Sequence, residues 1–332
     1  MKRKKTKCYS GIGGQAVLEG VMMKNKDRYA VAVRKSDGQI EVMAEDYEGI
    51  RGAKKVSGIP FLRGIFNFVD SLVLGMKTLT WSAGFFEEEE SGKEESEADR
   101  KFDRVAGDSG EKLVMGATVA FSIVMAVAIF IALPYFLSLL LASWVRNASL
   151  LAIFEGLLRI LIFVGYVAAI SAMKDIRRVY MYHGAEHKCI NCIERGRELT
   201  VKNVRKSSRL HKRCGTSFLL FVMVVSVILF MFIRVDNPAL RLVLRLALVP
   251  VIAGVSYEII RLAGRSDNLL IRAISAPGMW LQRLTTREPD DSMIEVAIAS
   301  VEAVIDWKAY LTENFGYAAD AWEDQDDVRP DL

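Results

Sequence analysis

Histidine and cysteine are scarce in this 332-residue chain, which has three histidines and four cysteines. Four cysteines in a chain of this size do not suggest a disulfide framework. The first residues are basic, but no apolar segment follows them, so we expect no cleaved secretory signal. No Gly-Lys-Ser/Thr follows the glycines at 11–14, which disfavours a phosphate loop and favours tight turns leading into a strand.

Long apolar runs, by contrast, are prominent. Four of them cover roughly 113–133, 150–173, 217–233 and 238–260. Each has about the 20 residues that a helix needs to cross the hydrocarbon core of a bilayer. The sequence therefore predicts a mainly α membrane protein with about four transmembrane helices and a small cytoplasmic β-containing N-terminal unit.

Basic residues are concentrated between the second and third runs. Residues 174–216 carry twelve lysines and arginines, whereas the connections near 142–149 and 234–237 carry one each. Because positively charged loops stay in the cytoplasm, we predict a multi-pass protein of the plasma membrane with cytoplasmic N- and C-termini. The expected partners are the lipid bilayer, anionic lipid headgroups and other membrane proteins. No nucleic acid is expected.

The chain divides into four predicted regions. Asp37-Gly38 between the alternating segments 29–33 and 39–43 indicates a β-hairpin in the first of them. Residues 57–83 of the same region are typical of a helix that lies in the membrane interface or is buried in the cytoplasmic unit. The regions are a cytoplasmic unit at 1–86, an acidic disordered linker at 87–111, a membrane region at 112–260 that includes the loop 174–216, and a cytoplasmic segment at 261–332 with an amphipathic helix at 291–313.

Charged residues inside the apolar runs are costly in lipid unless they face the bundle interior. Glu155 and Arg159 are four residues apart and are predicted to pair. Arg241 and Arg245 lie near an outer end, so we expect them to snorkel to the headgroups. Near the cytoplasmic end, Arg261 is the expected partner of Glu258.

All three histidines and three of the four cysteines lie between His183 and Cys214. On a helix, His183 and His187 are one turn apart, with Glu186 beside them. The pattern H-x-x-E-H is the inverzincin arrangement, in which the histidines bind zinc and the glutamate is a general base. Imidazole and thiolate are typical zinc ligands, so His211 and Cys214 are candidates for further ligands.

Three arrangements of this segment remain open. In the first, His183, His187 and either His211 or Cys214 hold a metal with an open position, and Glu186 is the base. In the second, a closed structural zinc site forms from Cys189, Cys192, His211 and Cys214. In the third, no metal binds, and the side chains only hydrogen-bond within a compact loop.

Four segments also carry a resemblance to a known family. They are Gly13–Met23, Tyr182–Lys188, His211–Phe218 and Leu281–Pro289. On these segments the chain resembles the YqhQ-like bacterial membrane proteins, which are predicted metal-dependent enzymes of unknown function. The resemblance implies a membrane protein with several spans and a metal site, mapped here to His183, Glu186, His187, His211 and Cys214. Cys189 and Cys192 depart from the family pattern.

The combined hypothesis is a metal-dependent hydrolase that acts at the cytoplasmic membrane face. Its cofactor would be a divalent metal ion, with zinc favoured by the ligand types, and Glu186 would be catalytic. The segments 13–23 and 281–289 are expected to lie near the loop 174–216, because all three are on one side of the membrane. One alternative is a non-enzymatic, metal-sensing scaffold or regulator of other membrane proteins, and a further alternative is a transporter component.

Overall fold

Four short strands near the N-terminus form one antiparallel sheet. The computed structural model describes residues 7–50, 56, 58–90, 114, 116–145, 147–233, 235, 237–265 and 268–318. The strands are β1 (Ile12–Val17), β2 (Gly20–Asn25), β3 (Arg28–Arg34) and β4 (Ile40–Asp46), paired in chain order. The predicted hairpin joins β3 to β4, and its Gly38 has φ +85°, which glycine adopts without steric cost. The glycines at 11–14 lie at the start of the first of two strands that follow each other in the chain, β1 and β2.

Helices make up most of the remaining described residues. They are α1 (Leu62–Glu90), α2 (Gly116–Leu140), α3 (Ala148–Ile170), α4 (Lys174–Glu194), α5 (Val201–Arg205), α6 (Gly215–Phe230), α7 (Pro238–Ala247), α8 (Val249–Arg265), α9 (Leu269–Thr285), α10 (Asp291–Glu302) and α11 (Trp307–Phe315). α1 extends to Glu90, and residues 91–111 of the predicted linker lie outside the described residues.

Three helical segments of the described chain are long and apolar enough to cross a membrane. They are Gly116–Leu140, Ser149–Ile170 and Ala239–Gly264, the last of which joins α7 and α8. The fourth predicted span corresponds to α6, which is apolar but has 16 residues. At 1.5 Å per residue it is about 24 Å long, shorter than a hydrocarbon core of about 30 Å. α6 packs against α3, α8 and α9 in the middle of the bundle.

The charged residues in the bundle pair differently from the sequence expectation, except for one pair. Glu155 and Arg159 do pair, at 2.8 Å. Arg245 does not snorkel, because it is 3% exposed and its Nη1 lies 2.7 Å from the same Glu155 oxygen. The partner of Glu258 is Arg63 of α1, whose Nε donates to Glu258 Oε1 at 2.7 Å. These partners come from other helices, so helix periodicity alone does not reveal them.

The sheet is sandwiched between helices. On one face, β1, β2 and β3 pack against α4 and α10 around a core that includes Tyr182, Ile190 and Ile294. On the other face, Leu74 of α1 packs with Val31 and neighbouring side chains. The predicted helix at 57–83 thus combines two environments, because the beginning of α1 contacts α8 and its middle covers the sheet.

The predicted amphipathic helix at 291–313 is present as two helices. α10 ends at Glu302, and α11 begins at Trp307. Asp306 starts the second helix by accepting a hydrogen bond from the backbone N–H of Ala309 at 2.9 Å. A side chain that caps a helix N-terminus satisfies a donor that has no partner within the helix, which favours a new start at this point.

Candidate metal centre

Helix α4 carries two histidines, His183 and His187, on one face. Their rings are adjacent, with centroids 4.4 Å apart, as expected for residues one helical turn apart. His183 Nδ1 lies 2.8 Å from the carbonyl oxygen of Thr285, and His187 Nδ1 lies 2.6 Å from that of Arg209. A carbonyl only accepts, so Nδ1 carries the proton in both rings and donates it. Each Nε2 is then left to face a further partner.

Cys214 supplies the third member of this group. It caps the N-terminus of α6, where its Sγ accepts from the backbone N–H of Thr216 at 3.4 Å. The same sulfur lies 3.2 Å from His183 Nε2. One ligand atom from each of His183, His187 and Cys214 lies within 4.8 Å of the others. We call these three residues the His–Cys cluster.

The cluster is strongly coupled electrostatically. Burial would raise the pKa of the Cys214 thiol, but the two imidazoles outweigh it and hold that pKa well below its usual value. Burial opposes protonation of His183, yet the neighbouring Cys214 thiolate raises the pKa of His183 to about 9. Without a metal, the two side chains therefore form an ion pair. The same imidazole nitrogen and thiolate sulfur are metal ligands once the proton between them is lost.

Glu186 lies beside the cluster and is 4% exposed. Its Oε2 is buried and has no hydrogen-bond partner among the described residues. Burial raises the pKa of its carboxyl group, against the opposing effect of His187 and His183. Gly14 of β1 lies directly over this side chain, since a Cβ built on Gly14 would be 2.9 Å from Glu186 Cγ.

His211, a predicted ligand, is not brought into the His–Cys cluster. Its ring centroid is 5.6 Å from that of His187, but its Nε2 faces Glu194 Oε2 at 3.8 Å. Burial lowers the pKa of His211 to about 4. Gln282 of α9 holds the backbone here, because it accepts from His211 N at 2.8 Å and donates to His211 O at 2.7 Å. The backbone clamp thus orients the imidazole away from the cluster.

Glu194 is a site residue that the sequence analysis did not identify. It is 0% exposed, accepts from Ser10 N and Ser10 Oγ at 3.0 Å each, and accepts from Arg213 Nη2 at 2.6 Å. Burial favours a raised pKa, but the nearby His211 imidazole and the hydrogen bond that Arg213 donates hold the pKa of Glu194 at about 2. The spacing was a usable signal, since Glu194 follows His187 by seven residues on the same helix face.

Cys189 and Cys192 lie in the hydrophobic core, not beside the other candidate ligands. Both side chains are 0% exposed and pack in the core between α4 and α10. Burial raises the pKa of the Cys189 thiol well above its usual value. Cys192 Sγ donates to the carbonyl of Glu198 at 3.3 Å. The closed arrangement with His211 and Cys214 is therefore not assembled.

The other two segments of the resemblance meet the α4 histidines, as expected. Besides Gly14, the end of α9 contributes Thr285, whose carbonyl orients His183. A Cβ on Gly184 would lie 2.0 Å from the carbonyl oxygen of Arg287, so the backbones touch there.

The basic side chains near the site already have partners in the protein. Arg178 pairs with Glu19, Arg213 with Glu194, and Lys188 with Glu288.

Comparisons with known proteins agree with the resemblance described above. No solved structure matches this chain. A protein of Bacillus subtilis (strain 168) named "Uncharacterized protein YqhQ" is 35% identical over 314 residues, which are 93% of this chain and 97% of the relative. A family model described as "Protein of unknown function (DUF1385)" matches residues 59–307, from three residues before α1 to the start of α11. The chain therefore belongs to this family, the YqhQ-like membrane proteins.

Proposed function

We propose that the chain crosses the plasma membrane four times and has both ends in the cytoplasm. The twelve basic residues at 174–216 support a cytoplasmic position for the connection between α3 and α6. The apolar residues 231–233 lengthen the α6 segment toward the length of a span. Because α6 packs among α3, α8 and α9, neighbouring helices cover much of its surface.

We further propose that the His–Cys cluster binds a divalent metal ion, with zinc favoured by its nitrogen and sulfur ligands. The observation that carries this proposal is the convergence of three ligand atoms within 4.8 Å. His187 Nε2 fits the role of a ligand, because it is buried and has no hydrogen-bond partner among the described residues. Ligand histidines commonly donate their other N–H to a backbone carbonyl, as both rings do here.

The proposed activity is hydrolysis of a lipid-linked, phosphate or peptide substrate at the cytoplasmic face of the membrane. When bound, the ion supplies Lewis acidity and lowers the pKa of a coordinated water toward about 7. His183, His187 and Cys214 would hold the ion, and the carbonyls of Thr285 and Arg209 fix the two rings. Glu186 would accept a proton from the attacking water at Oε2, which has no competing partner among the described residues.

Metal content tests the binding site. We expect one equivalent of metal per chain by mass spectrometry of detergent-purified protein, and its loss in His183→Ala. His211→Ala is the matched control, since it also removes an imidazole but one that faces Glu194. Cys192→Ser is a second control, because the Cys192 thiol lies in the core and donates a hydrogen bond to the carbonyl of Glu198. If wild type binds no zinc, iron or manganese, or if His183→Ala retains the metal, the proposed site is wrong.

Turnover tests the catalytic role. Metal-loaded wild type in lipid nanodiscs is assayed with fluorogenic phosphodiester, ester and peptide substrates. We expect wild type to hydrolyse a substrate. We expect Glu186→Gln to keep its metal and to hydrolyse that substrate about 100-fold or more slowly than wild type. Loss of metal in Glu186→Gln would instead identify Glu186 as a ligand.

Burial of the cluster favours a second candidate, a metal-dependent scaffold or regulator without catalysis. His187 is 1% exposed and Cys214 is 7% exposed, so substrate access depends on the half-buried His183. For a scaffold, Glu186→Gln and wild type are expected to behave alike in every assay while His183→Ala loses metal and stability.

A further inference from the structure

A second polar cluster lies among the apolar helices, and its Ser226 is near the end of α6 opposite to the end that Cys214 caps. Glu155 of α3 accepts through one oxygen, Oε1, from Arg159 Nη2 at 2.8 Å and from Arg245 Nη1 at 2.7 Å. Arg159 Nη1 also donates to Ser226 Oγ of α6 at 2.8 Å. The two arginines and Glu155 are each 4% exposed or less. The cluster therefore connects three helices inside the bundle.

The charges of this cluster do not balance. Among the described residues, two guanidinium groups, each always charged, share one carboxylate, which leaves one excess positive charge. Glu155 lies in the first third of α3, and Arg245 lies seven residues into the candidate span Ala239–Gly264. Because the three side chains are buried between helices, little water is present to screen an unpaired charge.

Several hydrogen-bond donors of the cluster are also unused. Arg159 Nε, Arg245 Nε and the hydroxyl of Tyr135 on α2 are buried and have no hydrogen-bond partner within the described ranges. Arg245 Cζ lies 4.5 Å from the centroid of the Tyr135 ring, so the hydroxyl-bearing residue directly contacts the guanidinium. Phe230 packs against both arginines, with its centroid 4.9 Å from Arg159 Cζ and 5.0 Å from Arg245 Cζ.

We propose that these residues form a binding site for a small monovalent anion such as chloride. An anion supplies the missing negative charge and accepts from donors that otherwise have no partner. A small ion fits the burial better than a lipid phosphate, because Tyr135, Arg159 and Arg245 are 1%, 4% and 3% exposed. This site is separate from the His–Cys cluster and does not depend on the proposed hydrolase activity.

The test compares thermal unfolding of full-length protein in detergent with sodium chloride or sodium gluconate at one ionic strength. A ligand that binds the folded state raises the midpoint, here by on the order of 5 °C at saturating chloride. Arg245→Gln leaves a neutral Glu155–Arg159 pair, so we expect it to fold and to lose the chloride response. Arg241→Gln is the matched control, because Arg241 is one turn away and donates to Val235 O at 2.8 Å. It should respond like wild type.

Radioactive chloride provides an independent measurement. We expect about one chloride per wild-type chain by equilibrium dialysis and none for Arg245→Gln. If Arg245→Gln does not fold, Arg159→Gln replaces it, since that change leaves a neutral Glu155–Arg245 pair. The proposal is wrong if wild type shows neither bound chloride nor a midpoint shift, or if Arg245→Gln keeps the response. It is also wrong if only added phosphatidylglycerol, and not chloride, stabilises the protein.

Discussion

Gly14 is the residue at which the N-terminal sheet touches the candidate metal centre. A Cβ at this position would lie 2.7 Å from the carbonyl oxygen of Met22 and 2.9 Å from Glu186 Cγ. The first neighbour is backbone, so the strand itself would have to shift. Close packing against β2 and Glu186, not a turn, thus explains why position 14 is a glycine.

This contact predicts different outcomes for two adjacent glycines. We expect Gly14→Ala to lower the free energy of unfolding by about 1–3 kcal/mol, because the methyl group overpacks β2 and Glu186. A Cβ on Gly13 meets nothing within 4 Å, so Gly13→Ala should change stability by about 0.5 kcal/mol or less. Denaturant unfolding of both variants checks this, and equal destabilisation would contradict the assigned contact.

Glu194 gives the protein a predicted dependence on acid. Its pKa is about 2 in the folded protein and 4.5 ordinarily, so the carboxylate is favoured by folding. The resulting stability is fully present above about pH 5 and is lost as the pH falls toward 2. A shift of this size corresponds to on the order of 3 kcal/mol.

Glu194→Gln should therefore be less stable than wild type at pH 7, and the difference should shrink steadily below about pH 4.5. Glu295→Gln is the control, because Glu295 pairs with Arg34 at an exposed position and is expected to contribute about 0–1 kcal/mol. Urea unfolding between pH 3 and pH 7 measures both. A pH-independent difference for Glu194→Gln would show that packing, not charge, is responsible.

At the scale of elements, α1 connects the bundle of apolar helices to the N-terminal sheet. Its start packs tightly on α8, where a Cβ on Gly64 would lie 2.7 Å from Tyr257 Cβ and 3.1 Å from Gly254 Cα. Its middle carries Leu74 into the core under the sheet. Small residues allow two helices to approach each other this closely.

Two glycines of α1 are predicted to respond in opposite directions to alanine. Gly64→Ala should destabilise the protein by about 1–3 kcal/mol, because the added methyl group separates α1 from α8. A Cβ on Gly84 would meet nothing within 4 Å. Gly84→Ala should therefore be neutral, or stabilise the protein by up to about 1 kcal/mol, because alanine has the higher helix propensity. Thermal unfolding in detergent distinguishes them, and a destabilised Gly84→Ala would contradict the packing assigned to α1.

For the whole molecule, the number of spans determines the side of the membrane on which the C-terminus lies. Four spans place both termini on one side, whereas three spans place them on opposite sides. We expect reporter fusions after residues 195 and 332 to be cytoplasmic, and a fusion after residue 147 to be external. An external reporter at residue 332 would show that α6 does not cross the membrane.

Local sequence determined those features of this protein that depend on neighbouring residues. Hydropathy over about 20 residues identified the three candidate spans, and Asp37-Gly38 identified the hairpin of β3 and β4. The spacing of His183 and His187 placed both rings together, because helix geometry fixes residues one turn apart.

Tertiary structure alone decided the partners that are distant in the chain. Cys214 lies beside His183, whereas His211 faces Glu194. The reason is that Gln282 of α9 accepts a hydrogen bond from the backbone of His211 and fixes its position. Arg245 reaches Glu155 across 90 positions, although its place near the outer end of an apolar run predicted that it would snorkel to the headgroups. Such contacts arise from how helices pack against one another, and the sequence of a single helix does not contain that information.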